Sequence, residues 1–168
     1  MGSSASSASS GSKLPILVER SEWEAYVPSP GAFEGKPRLT MAVMKPAHNA
    51  GRARLVVDLI QEEASDRYDT VHYVFPRRSG SPYYDFVEEV KQTLTEEDRE
   101  RFSSRKGWSA PFVWLDMPDG TRKALGGRDD LCEWAMSEFA SSQAIVRAAK
   151  TPAKLGDLWV DTRRPGTL

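Results

Sequence analysis

Short apolar segments of strand length alternate with longer segments of helical period along most of this chain. Residues 39–44 and 70–75 are apolar, β-branched and aromatic runs of the length of buried strands. Between them, residues 52–64 carry apolar side chains at the spacing of an amphipathic helix. On this helix we expect Arg52, Arg54 and Asp58 to face water. The alternation predicts an α/β domain.

Further strands and helices extend this alternation in both directions. The predicted strands are residues 14–18, 111–117 and 122–125. The predicted helices are residues 21–26, one or two helices over 82–94 and 96–102 (the second after a Thr95 cap), and a helix after an Asp129 cap that continues to residue 149. The predicted order is β-α-β-α-β-α-β-β-α, with a central mixed sheet flanked by helices.

Composition allows one domain and disfavours two classes of partner. The chain has 168 residues, enough for one core, and a net charge of −1, which gives no basic surface for nucleic acid. We expect a disordered leader over residues 1–12, the domain over 13–150 and a C-terminal extension over 151–168. Without a long apolar run, we expect a cytoplasmic protein with no stable membrane insertion. Gly2 and Ser6 fit the N-myristoylation pattern.

Cysteine and histidine are too few for the usual redox or metal sites. Cys132 is the single cysteine, and His48 and His72 are the two histidines, so we expect no metal site and no cofactor. Cys132 lies within a predicted helix, which favours a buried core residue. His72 alternates with Val71 and Tyr73 and should therefore lie on the opposite face of its strand, covered by a helix.

Three local patterns resemble the thioredoxin and glutaredoxin superfamily over residues 14–149. Ala110-Pro111 before a strand resembles the cis-proline of that fold, and residues 126–131 resemble the glutaredoxin turn that holds the glutathione carboxylate. Lys45, at the end of a strand before a helix, matches by position. The resemblance implies a cis bond before Pro111 and a vestigial glutathione pocket formed by Lys45, Gly126, Gly127, Asp129 and Asp130. Alternatively, Pro111 shapes a kink, the glycines permit a turn and the aspartates cap a helix.

The same resemblance places the redox motif at four residues that cannot perform its chemistry. Where the family has Cys-x-x-Cys, this chain has His48, Asn49, Ala50 and Gly51. Thiol-disulfide exchange needs a thiolate that attacks sulfur, and neither imidazole nor glycine forms a mixed disulfide. We therefore expect a protein that is not an enzyme.

The expected function is that of a redox-inactive structural or scaffold protein that docks to a larger assembly. In type, the chain is similar to thioredoxin-like proteins associated with parasite cortical microtubules, which implies cytoskeletal association and a tubulin partner. The candidate partner-binding residues are Tyr83, Tyr84, Leu158, Trp159, Arg163 and Arg164. The alternatives are a glutathione- or peptide-binding module of glutaredoxin descent and an enzyme that uses His48.

Overall fold

A mixed β-sheet of five strands lies at the centre of the fold. The computed structural model describes residues 16–17, 35–45, 48–76, 82–102 and 110–153. The strands are β1 (Ile16–Leu17), β2 (Arg38–Lys45), β3 (Asp69–Pro76), β4 (Phe112–Asp116) and β5 (Arg122–Gly126). Their order across the sheet is β1-β3-β2-β4-β5. The first three strands are parallel to one another, whereas β4 runs antiparallel to both β2 and β5.

Five helices flank this sheet. They are α1 (His48–Glu63), α2 (Pro82–Lys91), α3 (Glu96–Arg101), α4 (Arg128–Glu138) and α5 (Gln143–Lys150). The predicted α/β class, with a mixed sheet flanked by helices, is confirmed. The predicted helix over 21–26, the leader over 1–12 and most of the extension over 151–168 lie outside the described residues.

The helix termini confirm one predicted cap and correct the helix expected over residues 129–149. The Thr95 hydroxyl accepts a hydrogen bond from the Asp98 backbone N–H, as predicted for an N-cap. The segment from 128 to 150 forms two helices: the first ends at Glu138 with Phe139 as its C-cap, and Ser142 caps the second. Its hydroxyl accepts from the backbone N–H of Ile145 at 3.2 Å.

The sheet has a hydrophobic core on each face. On one face, alternate residues of β2 such as Leu39 and Met41 pack against α1, α4 and α5. On the other face, Tyr73, Phe75 and Trp114 pack against α2 and the segment that follows it. This arrangement confirms the predicted alternation of β3, on which Val71 and Tyr73 share a face and His72 lies opposite.

Helix α1 is buried over a wider arc than its sequence predicted. Arg52, Arg54 and Asp58 were expected to face water, but all three are buried. For Arg54 and Asp58 the reason is charge pairing: Arg54 Nε lies 3.6 Å from Asp58 Oδ2, and His72 Nε2 lies 3.2 Å from Asp58 Oδ1. Buried ionic groups are tolerated when such partners are present, so this flank of α1 can lie against β3. His72 is thus covered by a helix, as predicted.

A buried ionic network joins three strands on the opposite face of the sheet. Arg122 Nε on β5 lies 2.6 Å from Asp116 Oδ1 on β4, and both side chains are almost fully buried. The other carboxylate oxygen of Asp116 accepts hydrogen bonds from Thr40 on β2, at 3.0 Å, and from the Trp114 indole, at 3.2 Å. Arg122 also donates to the Thr93 hydroxyl, which follows α2, at 2.7 Å.

We expect Arg122→Met to destabilise the protein by about 3–5 kcal/mol, because it leaves the Asp116 carboxylate buried without its cation. Lys123→Met is the matched control, since Lys123 is the exposed neighbour on the same strand, and should change stability by about 0.5 kcal/mol or less. Urea denaturation followed by circular dichroism measures both. Equal losses in the two variants would contradict a structural role for the ion pair.

Candidate functional site

The features that suggested a functional site meet at one end of the sheet. Strand β2 ends at Lys45 and leads into α1, which begins at His48. Because β4 is antiparallel to β2, its first residue, Phe112, pairs with Ala42 near that same end. Gly126, the last residue of β5, pairs with Val113 and lies there too. The sheet therefore brings together the start of α1, the start of β4 and the turn into α4.

The four residues that the resemblance aligns with the redox motif form the first turn of α1. The helix begins at His48, four residues earlier than predicted, so the four motif residues are helical rather than in a loop. Asn49 is exposed, whereas Ala50 and Gly51 are buried, and Ala50 belongs to the core cluster beneath α1. The position therefore offers no thiol, and half of it is packed into the core.

Pro111 lies at the start of β4, in contact with that end of the sheet. The Ala110–Pro111 peptide bond is cis, as the sequence predicted, and Pro111 is buried. A cis-proline at the first residue before a strand turns the chain sharply into the sheet.

The glycine turn between β5 and α4 is closed by its own aspartate. Gly127 is the N-cap of α4, and its backbone N–H donates to Asp130 Oδ2 at 2.9 Å. The expected Asp129 cap is therefore wrong: Asp129 lies inside the first turn, is largely exposed and pairs with Arg128 at 2.5 Å. Glycine has no side chain to cap the helix, and the capping contact comes instead from Asp130, at the third helical position. The resemblance assigned Asp130 to a pocket for a ligand carboxylate, but in the structure Asp130 accepts a hydrogen bond from the protein backbone.

Gly126 is required by geometry. Its φ is 125°, a conformation that side chains with a Cβ rarely adopt, and an added Cβ would lie 2.3 Å from Asp130 Oδ2. Asp130 can therefore reach the Gly127 N–H only because residue 126 has no side chain.

Cys132 lies in α4 and is buried in the core beneath α1, as predicted. Burial raises the pKa of its thiol, an effect that the nearby Arg128 only partly opposes. The thiolate is the reactive form, so this cysteine is a poor nucleophile.

The candidate partner-binding residues divide into three groups. Tyr83 is fully buried in the core, where its ring packs edge-on against Phe75, so its expected role as a contact residue is wrong. It occupies the inward face of α2, and burial raises its pKa well above the usual value. Tyr84 is 53% exposed and is the one large hydrophobic residue so exposed among those described. Leu158, Trp159, Arg163 and Arg164 lie outside the described residues.

The sequence analysis did not identify two buried polar clusters, although each has a recognisable pattern in the sequence. Arg54 and Asp58 are four residues apart, the spacing of a helical ion pair. Asp116 ends an otherwise apolar strand and is followed, across a tight turn, by Arg122. Within the described residues, no group of three or more His, Cys, Asp or Glu side chains is arranged to hold a metal ion.

Comparisons with known proteins add no assignment to this geometry. Searches against protein-family models, curated proteins and solved structures each found no match. Among the helices in the described part of the chain, none has the length and apolar character needed to cross a membrane.

We expect Gly126→Ala to destabilise the protein by about 3 kcal/mol, through backbone strain and the clash with Asp130. Gly120→Ala is the matched control: Gly120 has φ 88° but open space around its added Cβ, so strain alone should cost about 1 kcal/mol. Urea denaturation measures both. Combining Gly126→Ala with Asp130→Ala should recover part of the loss, and no recovery would contradict the proposed clash.

We expect the Cys132 thiol of the native protein to react slowly with iodoacetamide at neutral pH. Its pKa is raised by burial, so its thiolate fraction should increase only at higher pH than that of the same cysteine in unfolded protein. Mass spectrometry of alkylated protein, with and without urea, measures the two rates. Equal rates at neutral pH, or insulin reduction that Cys132→Ser abolishes, would contradict this expectation.

Proposed function

We propose that this chain is a thioredoxin-fold protein without redox chemistry, which acts as a docking or scaffold component of a larger protein assembly. The observation that carries the proposal is the first turn of α1, beside cis-Pro111. It contains His48, Asn49, Ala50 and Gly51 where thioredoxin-like enzymes place their cysteines.

The order of elements supports the thioredoxin-like part of this proposal. A parallel unit of β2, α1 and β3 is followed by helices, by the antiparallel strands β4 and β5, and by terminal helices. Helices cover both faces of the sheet. The cis peptide bond lies at the start of β4, where the resemblance requires it.

The chemistry of the site supports the loss of redox function. A mixed disulfide needs a thiolate at an accessible position, and a second thiol to resolve it. The one cysteine of this chain is buried in α4, and burial disfavours its thiolate. We therefore propose that a protein with this fold and without such a pair of thiols acts through contacts between its surface and other molecules.

Docking would use the exposed aromatic Tyr84 on α2 and the C-terminal extension. Exposed aromatic residues and arginines are enriched at the energetically important positions of protein interfaces. The extension contributes Trp159 as an aromatic anchor and Arg163 and Arg164 for an acidic surface such as that of tubulin. A repeating lattice would multiply a weak contact of this kind through neighbouring copies. We therefore take polymerised tubulin as the partner to test.

The test is co-sedimentation of the full-length protein with polymerised tubulin. We expect the protein to pellet with the polymer, and Trp159→Ala combined with Arg163→Ala and Arg164→Ala to reduce the pelleted fraction several-fold by removing the anchor and both cations. Tyr84→Ser should reduce it less, while Glu88→Ala, one helical turn further along α2, is the matched control. A full-length protein that stays in the supernatant would exclude microtubules as its partner.

The second candidate function is that of a glutathione-binding module. The position of the glycine turn beside Pro111 favours it, but the Asp130 carboxylate is already bonded to the Gly127 N–H. Calorimetric heat with millimolar reduced glutathione, weakened by Asp130→Ala, would favour this function over docking.

A further inference from the structure

A groove runs between α1 and α5, on the side of these helices that faces away from the sheet core. One cavity, of about 340 Å³, lies between the two helices, and a second, of about 490 Å³, adjoins it along α5 and the two residues that follow; Arg147 and Thr151 line both. Both lie within the range of about 300–1,000 Å³ that is common for ligand pockets. We call this feature the α1–α5 groove. It is separate from the sheet end that holds Pro111 and the glycine turn.

The wall of the groove is mainly apolar where α1 and α5 face each other. Leu55 and Leu59 lie one turn apart on α1, and Ala148 and Val146 contribute from α5. All four are only partly buried, and Leu59 and Ala148 also pack against the core. The alanines at 144 and 148 are one helical turn apart on α5 and leave space beside the leucines that larger side chains would fill. The groove can therefore accept apolar side chains from another molecule.

Positive charge surrounds this apolar wall. Arg52 lies at the α1 side, and Arg147 and Lys150 lie on α5. Among the described residues that line the groove, none is acidic. Arg147 and Lys150 are exposed, and neither makes an ion pair with a described residue. Cations in the last turn also favour the dipole of α5.

From this complementarity we infer that the α1–α5 groove docks an acidic amphipathic segment of a partner protein. Apolar side chains of that segment would contact Leu55, Leu59 and Ala148, while its carboxylates would meet Arg147 and Lys150. A simple anion would leave the leucines uncovered, and a net charge of −1 does not favour nucleic acid. Docking of helical apolar anchors into a groove is a common recognition mode. The inference rests on the proposed docking function and names the chemistry of its partner.

The probe is a fluorescein-labelled synthetic peptide with leucines at positions i and i+4 and glutamates elsewhere, titrated with the full-length protein and followed by anisotropy. We expect saturable binding that weakens as salt increases, because part of the attraction is between exposed charges. A peptide with lysines in place of the glutamates, and one with serines in place of the leucines, should bind at least about tenfold more weakly.

Charge reversal in the groove provides the decisive comparison. Arg147→Glu combined with Lys150→Glu should weaken binding about tenfold or more. The matched control is Arg101→Glu combined with Lys123→Glu, which changes the net charge equally at exposed positions outside the groove. Leu55→Ser should weaken binding without changing the charge. Circular dichroism in urea verifies that each variant remains folded.

Three results would overturn the inference: no binding by the full-length protein, equal loss in the two charge-reversal pairs, or equal binding of the lysine peptide. Binding that emerges only after Trp159→Ala would also overturn it, because the C-terminal extension would then be the occupant. If the peptide fails while the protein still pellets with microtubules, the groove is excluded and the docking proposal stands. If the peptide binds while pelleting fails, the groove is supported and microtubules are excluded.

Discussion

The Asp116 carboxylate fixes how the strands of this sheet lie against one another. From β4 it binds Arg122 on β5 through one oxygen and Thr40 on β2 through the other. A buried charge is costly unless its partners are in place, so one acidic group makes the alignment of three strands interdependent. A slip of one residue would move Arg122 to the other face of the sheet and leave Asp116 without a cation. The bond from Arg122 to Thr93 extends the same constraint to the end of α2.

This ionic network lies at the opposite end of β4 from the candidate site. Asp116 is the last residue of β4, whereas cis-Pro111 precedes its first residue, and Gly126 pairs near that beginning. The candidate site is therefore formed mainly by backbone geometry: a cis-proline, a glycine with positive φ and the first turn of α1. Such a site supplies shape and backbone hydrogen-bonding groups. The acid in its glycine turn, Asp130, accepts a hydrogen bond from the Gly127 N–H.

Most of the fold could be predicted from the sequence, because local patterns agreed with the tertiary structure. The strands β2 and β3, the Thr95 cap, the burial of Cys132 and the orientation of His72 follow from apolar period, capping chemistry and strand alternation. The candidate site was harder to predict. The cis bond before Pro111 came from a resemblance. The cap at Gly127 was missed although Asp130 has capping-box spacing, because Asp129, two residues after Gly127, is an equally plausible cap in the sequence. Likewise, Tyr83 and Tyr84 are chemically equal in sequence, and only the packing of α2 buries one and exposes the other.

The α1–α5 groove shows why a surface function is the hardest property to predict. Arg52 and Arg54 were both expected in water, yet both are buried; Arg54 is paired with Asp58, and Arg52 also lines the groove. Helical period alone shows neither the burial of these arginines nor that one of them reaches a groove. Whether a groove forms beside α1 depends on which side chains the neighbouring helix, α5, places there. Here α5 presents alanines and cations to α1 rather than bulky apolar residues or acids. The proposed docking surface therefore combines apolar contact area with exposed positive charge from α5.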